Sequence, residues 1–249
     1  LALQEVHRGG ASVPTEVPDG VCPDRIEAAL PGRARADIFE IARELRLWLF
    51  YAPSMRNGPP GSGATEEDRG NALLCTRALN DLVAMELPLE AMRRVPMGAT
   101  FTAQTNDGDA WSVNVWSVHL DNKASFARNL GSGGMVGRMQ QARALADSVS
   151  GASVVLAGDF NTWAVGPIER AVEIVEERFP DAICTDDGPT MIFTALPDRR
   201  VDYMFARLVP GARLRYGRLL DPRGSDHRPL LGWLVPAPIT SATPSGAKR

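Results

Sequence analysis

Two periods of apolar residues run along this chain, and together they predict a mixed α/β protein. "LALQEV" opens it as the last half of a strand, and "HRGGASVPTEVPDGVCPD" follows as a Gly/Pro-rich loop that includes His7. "ARADIFEIARELR" sets Ile38, Ile41 and Leu45 at helical spacing, which predicts a helix with one core face. "LWLFYAP" reads as a strand closed by Pro53, and residues 54 to 70 as a long polar loop at a functional rim. "NALLCT" and "LVAMEL" are expected to pair with "ATFTAQT" and "AWSVNVWSVHL". In the last of these, Trp111, Val113 and Val115 face one way while Asn114 and Trp116 face the other.

"SGGMVGRMQQARALADSV" predicts a helix with Met135, Met139, Ala142, Leu145 and Val149 on one face. "VVLAGDFN" is a buried strand, Ile168, Val172 and Val175 mark a further helix, and "RVDYMFAR" and "RPLLGWLV" are late strands. Strands with interspersed helices and some hairpins argue for mixed sheets faced by helices. One domain is expected over residues 1–235, with a polar, Pro-containing disordered tail over 236–249.

Composition narrows the classes. The chain has 249 residues, enough for a substantial core, and its 44% hydrophobic and 23% charged content is that of a soluble globular protein. A formal charge of −3 leaves no basic footprint for tight, nonspecific nucleic-acid binding. Cys22, Cys75 and Cys184 match neither a zinc spacing nor a disulfide framework and favour a reducing, cytoplasmic setting. The longest apolar run, "LRLWLFYA", is too short to span a bilayer. No secretory signal is visible; because the chain opens inside a strand, an upstream leader and the compartment stay open.

The candidate chemistry lies where strands end. Glu5, His119, Asp159 with Asn161, and Asp226 with His227 all stand at such positions, and Asp202 begins an apolar strand. Acids and imidazoles gathered on strand ends make a site on a rigid scaffold. In an extended chain Asp159 and Asn161 project to one side, with Phe160 turned into the packing. Glu5, Asp159 and Asp226 repel one another unless a counter-charge joins them, and oxygen donors suit Mg²⁺ or Mn²⁺ better than zinc. The two histidines serve equally as metal ligands or as partners of phosphate oxygens, and Asp202 is placed to fix the tautomer and charge of His227. His7 and the arginines of "AMRRV" read as solvated surface.

The pieces "LQEV", "GNALL", "SVHL", "GDFN", "RVDYMF" and "SDHRPL" occur in that order over nearly the whole chain. Together they resemble the endonuclease/exonuclease/phosphatase family, the metal-dependent phosphoesterases that include pancreatic deoxyribonuclease, apurinic endonucleases, neutral sphingomyelinases and inositol polyphosphate 5-phosphatases. The resemblance implies an α/β (α+β) fold, a four-layer α/β/β/α sandwich of two packed mixed sheets flanked by helices. It also implies roles. Glu5 ligates Mg²⁺ (or Mn²⁺) and Asp226 assists at the metal. Asp159 orients and deprotonates the attacking water, and Asn161 positions that water or a phosphate oxygen. His119 and His227 hold the phosphoryl oxygens, and Asp202 orients His227. Family members begin with an earlier strand and helix that this chain lacks, which implies an unpaired sheet edge and lower activity and stability than in an N-terminally extended form.

The expected function is therefore divalent-metal-dependent hydrolysis of phosphate esters by a monomer, as a phosphodiesterase or phosphatase. Its partner is a phosphate-ester substrate: a small molecule, a lipid headgroup or nucleic acid. The alternatives are an endo- or exonuclease acting on DNA or RNA and, in another class, a non-catalytic binding domain on the same scaffold. A zinc hydrolase needs clustered His ligands, and the chain has only three His.

Overall fold

The structure is a computed structural model that describes residues 1–9, 26–27, 37–57, 67–90, 92–104, 110–122, 133–162, 169–192 and 198–236. Its central element is a five-stranded mixed sheet ordered β10-β8-β7-β6-β5. These strands are β5 (Asn80–Ala84), β6 (Met97–Gln104), β7 (Ala110–His119), β8 (Val154–Asp159) and β10 (Asp202–Arg207). The alternation along β7 sorts its residues as expected. Val113 packs on one side of the sheet with Trp111 and Val115 against it, while Trp116 and Val118 join the cluster on the other.

On that second side lie α2 (Gly133–Ser148) and α3 (Ala171–Glu176). Met139, Ala142, Leu145 and Val149 of the predicted helix face pack there with Ala171, Val175, Leu156 and Phe205. The side chain of Met135, and Ile168, lie outside the described residues. The first side of the central sheet is covered by two smaller sheets. One has the order β1-β4-β3-β2, from β1 (Ala2–Gly9), β2 (Ile26–Glu27), β3 (Trp48–Asn57) and β4 (Glu67–Cys75). Ala52 and Leu73 from it meet Met97 and Ala99 of the central sheet. The other has the order β12-β11-β9, from β9 (Ala182–Cys184), β11 (Arg213–Arg218) and β12 (Leu230–Val235). Its Leu214 packs with Val113, Val155 and Ala206. Helix α1 (Ile38–Glu44) closes the outer side of the four-stranded sheet. The α/β/β/α layering therefore holds, with one β layer carried by two sheets, and β1 and β12 stand at sheet edges.

Several local expectations are corrected. His7 lies inside β1 and is buried, because the strand continues through Gly9. The core face of α1 is Ile38 with Ala42, an i, i+4 pair, while Leu45 follows the helix and is exposed. Pro53 does not end its strand. A bulge between Pro53 and Met55 absorbs the missing N–H, and strand continues to Asn57, so the polar loop is shorter at both ends than expected. β4 pairs with β1 and β3, not with the hairpin that follows it; of the two strands expected to join β6 and β7, β5 alone does so, through β6. The tail from 237 onward lies outside the described residues.

Candidate active site

Register brings the first three side chains together. His119 at the end of β7 pairs with Asp159 at the end of β8, and Asp159 in turn pairs with Asp202 at the start of β10. Directly paired residues on neighbouring strands lie about 5 Å apart at Cα. By alternation all three share the face of Val113, Val155 and Ala206, the face turned toward the other β layer. Gly158 permits this close approach. A Cβ there would lie 1.9 Å from the carbonyl oxygen of Val118, and its φ of 152° is one that side chains disfavour.

β1 delivers the fourth group across the interface. Leu3 and Val6 both pack on the α1 side, although regular alternation would separate them, and the pairing with β4 shifts between them. This bulge leaves Gln4 and Glu5 together on the inner side. Gln4 Nε2 donates to Ser117 Oγ at 2.9 Å, and Glu5, at φ 53°, brings Oε1 to 3.9 Å from His119 Nε2. Its other oxygen lies 3.9 Å from Arg69.

Asp159 and Asn161 are gathered by a turn and not by extended alternation. Asn161 adopts φ 48°, its N–H donates to Asp159 Oδ1 at 2.7 Å, and its amide Nδ2 donates to the Leu120 carbonyl at 2.9 Å. Phe160 is fully buried, as expected, edge-on to Phe205 at 5.0 Å between ring centroids. His227 comes from the segment before β12, where its backbone bridges Met191. Its Nδ1 shares a proton with Asp202 Oδ2 at 2.8 Å. Asp226 is exposed and acts on His227 through space.

Burial and neighbours set the charges. His119 is held well below the usual imidazole range, first by burial and then by the positive charges of Arg94 and His227. Burial pushes the Asp159 carboxyl up to about 7; Asp202 adds to this, while His227, the Asn161 N–H and Arg94 oppose it. Burial works against charge on His227 as well, but its bond to Asp202 and the charges of Asp202, Asp159 and Asp226 outweigh this and raise it to about 9. At neutral pH the site thus pairs a neutral His119 with a cationic His227.

Three contributors were not visible from the sequence. Arg94, read as surface, is 1% exposed and lies 3.2 Å from His119 Nδ1. The Thr190 hydroxyl accepts the N–H groups of Val201 and Asp202, both at 3.0 Å, and so fixes the start of β10. Gln4 reaches the same inner face beside Glu5. The apolar run around Arg94, in which Met92, Val95 and Met97 are all buried, is the one signal that pointed inward.

The sequence matches no family model and no curated protein. Among solved structures, the chain is similar to an endonuclease/exonuclease/phosphatase from Bacteroides vulgatus, with TM-score 0.53, 15% identity and 79% of each chain covered. It is also similar to a beta toxin from Staphylococcus aureus, with TM-score 0.50, 14% identity and 71% of each chain covered. The fold is that of the endonuclease/exonuclease/phosphatase proteins, as the motif order implied.

Proposed function

We propose that this chain is a divalent-cation-dependent hydrolase of phosphate esters. The observation that carries the reading is the convergence of Asp159, His119, Asp202 and His227 at one end of the central sheet, with Glu5 arriving from the opposing layer. A fold shared with a phosphoesterase family supports it, though function resides in the site and not in the fold.

The donor set fits Mg²⁺ or Mn²⁺. Among the described residues no three or more His, Cys, Asp or Glu are grouped so as to hold a metal ion. The reading therefore rests on donor chemistry: carboxylate oxygens suit a hard dication that keeps several waters and binds through one or two carboxylates plus substrate phosphate, and do not suit tetrahedral zinc. Glu5 would hold the cation, with Asp226 assisting. When bound, it supplies Lewis-acid polarisation of a phosphoryl oxygen and neutralises developing charge.

The protein's own groups do the rest. Asp159, fixed by the Asn161 N–H, orients the attacking water and accepts its proton. Asn161 spends one of its two amide hydrogens on Leu120 and offers the other to water or a phosphate oxygen. His227, charged and anchored through Nδ1 to Asp202, donates from Nε2 to the phosphoryl group as charge builds on it. The net charge of −3 disfavours a long polyanion, so a small or lipid-headgroup ester is the preferred substrate over DNA or RNA. No helix among the described residues is long and apolar enough to cross a membrane.

Turnover of bis-p-nitrophenyl phosphate in Mg²⁺, Mn²⁺ or chelator tests the reading. Metal-dependent hydrolysis that Asp159→Ala abolishes is expected. Background rates in both proteins would overturn it in favour of a binding domain. A panel of plasmid DNA, RNA, sphingomyelin and inositol phosphates then separates nuclease from small-ester hydrolase.

A further inference from the structure

The environment of His119 is more specific than a buried imidazole requires. Arg94 sits in the stretch that leads into β6, and its backbone is tied on several sides. The Arg94 carbonyl accepts the Leu87 N–H at 2.9 Å, the Val95 carbonyl accepts Asn71 Nδ2 at 3.0 Å, and the Met92 N–H donates to Asp121 Oδ2 at 2.7 Å. From this frame its guanidinium places Nη1 3.2 Å from His119 Nδ1 and Nη2 3.5 Å from the sulfur of Met92. A guanidinium has five N–H donors and no acceptor. The contact is therefore a hydrogen bond only if Nδ1 of His119 offers a lone pair, which places the ring's proton on Nε2. That nitrogen faces Asp159 Oδ2 at 3.6 Å and Glu5 Oε1 at 3.9 Å.

We propose that Arg94 is a positioning residue that locks His119 as the Nε2–H tautomer, so that a hydrogen-bond donor, and not a lone pair, faces the reaction space. Two consequences follow. His119 cannot take the proton of the attacking water at Nε2, which leaves that task to Asp159. Nor can it ligate a cation through Nε2, so its role is to donate to a phosphoryl oxygen. The tautomer assignment stands on geometry alone; its effect on rate rests on the phosphoesterase reading above.

The test is a long-range ¹H–¹⁵N correlation spectrum of the labelled full chain at neutral pH, which reports imidazole tautomers directly. Only three His contribute, so a His119→Gln variant assigns the signal. The wild type is expected to show a neutral Nε2–H ring. Arg94→Lys, also donor-only, is expected to keep it, and Arg94→Met to give Nδ1–H or a mixture. If the chain turns over phosphate esters, Arg94→Met lowers kcat by about 10- to 100-fold with little change in KM, and Arg94→Lys recovers much of the loss. Should Arg94→Met fail to fold, the wild-type and Arg94→Lys spectra decide. A wild-type ring protonated on Nδ1, a ring in Arg94→Lys that has lost Nε2–H, or an Nε2–H ring that persists unchanged in folded Arg94→Met would overturn the proposal. An inactive wild type that shows the expected tautomers would leave this inference standing and remove only the phosphoesterase reading.

Discussion

Arg138 and Glu169 form one buried charged cluster, Asp159, Asp202, His119 and His227 another, and both hang on the two residues after β7. Arg138 donates through Nη1 to the Asp121 carbonyl, and Asn161 beside Asp159 donates to the Leu120 carbonyl. There the likeness ends. Arg138 grips Glu169 in a two-pronged pair, with Nη2 to Oε2 at 3.1 Å and the Nε contact alongside it, and the two side chains are 2% and 0% exposed. Opposite charges match fork to fork, so the pair is self-contained. Asp159 instead is weakened as an acid first by its burial and then by the second carboxylate, Asp202, which His227 and Arg94 offset only in part. A cluster whose charges close on themselves serves the fold. One that leaves a buried carboxylate only partly compensated is what the proposed function requires of a site that receives a cation and a substrate.

Breaking the closed pair gives the largest expected effect. Glu169→Gln leaves the Arg138 cation buried without its counter-charge and is expected to lower unfolding free energy by about 3–5 kcal/mol, read by denaturant titration. A loss well under 1 kcal/mol would mean that the pair is solvated and the contrast false.

The open cluster should respond in the opposite sense. Asp159 titrates near 3.8 when unfolded and near 7 when folded, so its burial penalty is absent below 3.8, grows as pH rises to 7, and is complete above that. Asp159→Asn removes the charge and keeps an acceptor for the Asn161 N–H. In metal-free buffer at pH 8 the variant is expected to melt higher than the wild type, with the gap closing toward pH 4. A variant that melts lower at pH 8 would show that the carboxylate is structural.

The smallest effect is a shift in titration. His227 is raised from 6.5 to about 9, chiefly through Asp202, so the stabilisation it brings is complete below 6.5 and is lost as pH rises through 9. Asp202→Asn should bring the midpoint down to 6.5 or below, followed by the imidazole proton signals. A midpoint left near 9 would assign the rise to other carboxylates.

Much of the open cluster was legible along the chain, for a physical reason, while the Arg138–Glu169 pair was not. "SVHL", "GDFN" and "RVDYMF" each join an apolar strand to a polar end, and strands of one sheet finish side by side, so their ends meet whatever the connections do. Glu5 was singled out as a strand-end acid but stands inside β1, and the bulge that turns it inward was not legible, because a positive φ at a glutamate leaves no mark in composition. Pairing was the weak point. Which strands neighbour β4 is decided by cross-sheet packing of Leu73 and Ala52 on Met97, and local alternation carries no trace of it. β11 escaped notice because Arg213, Arg215 and Arg218 mask its inward residues, Leu214 and Tyr216. Arg94 was missed since an arginine is read as surface unless its partner is known, and His119 lies 25 residues away.

On the proposed function, Asp159 is kept buried and under-compensated for the sake of a reaction. Turnover of bis-p-nitrophenyl phosphate by Asp159→Asn in Mg²⁺ at pH 8, on protein shown to be folded, tests it most directly. A loss of at least about 100-fold relative to the wild type is expected, the scale of a missing general base. A rate within about threefold of the wild type, far too small a change for a lost base, would contradict it.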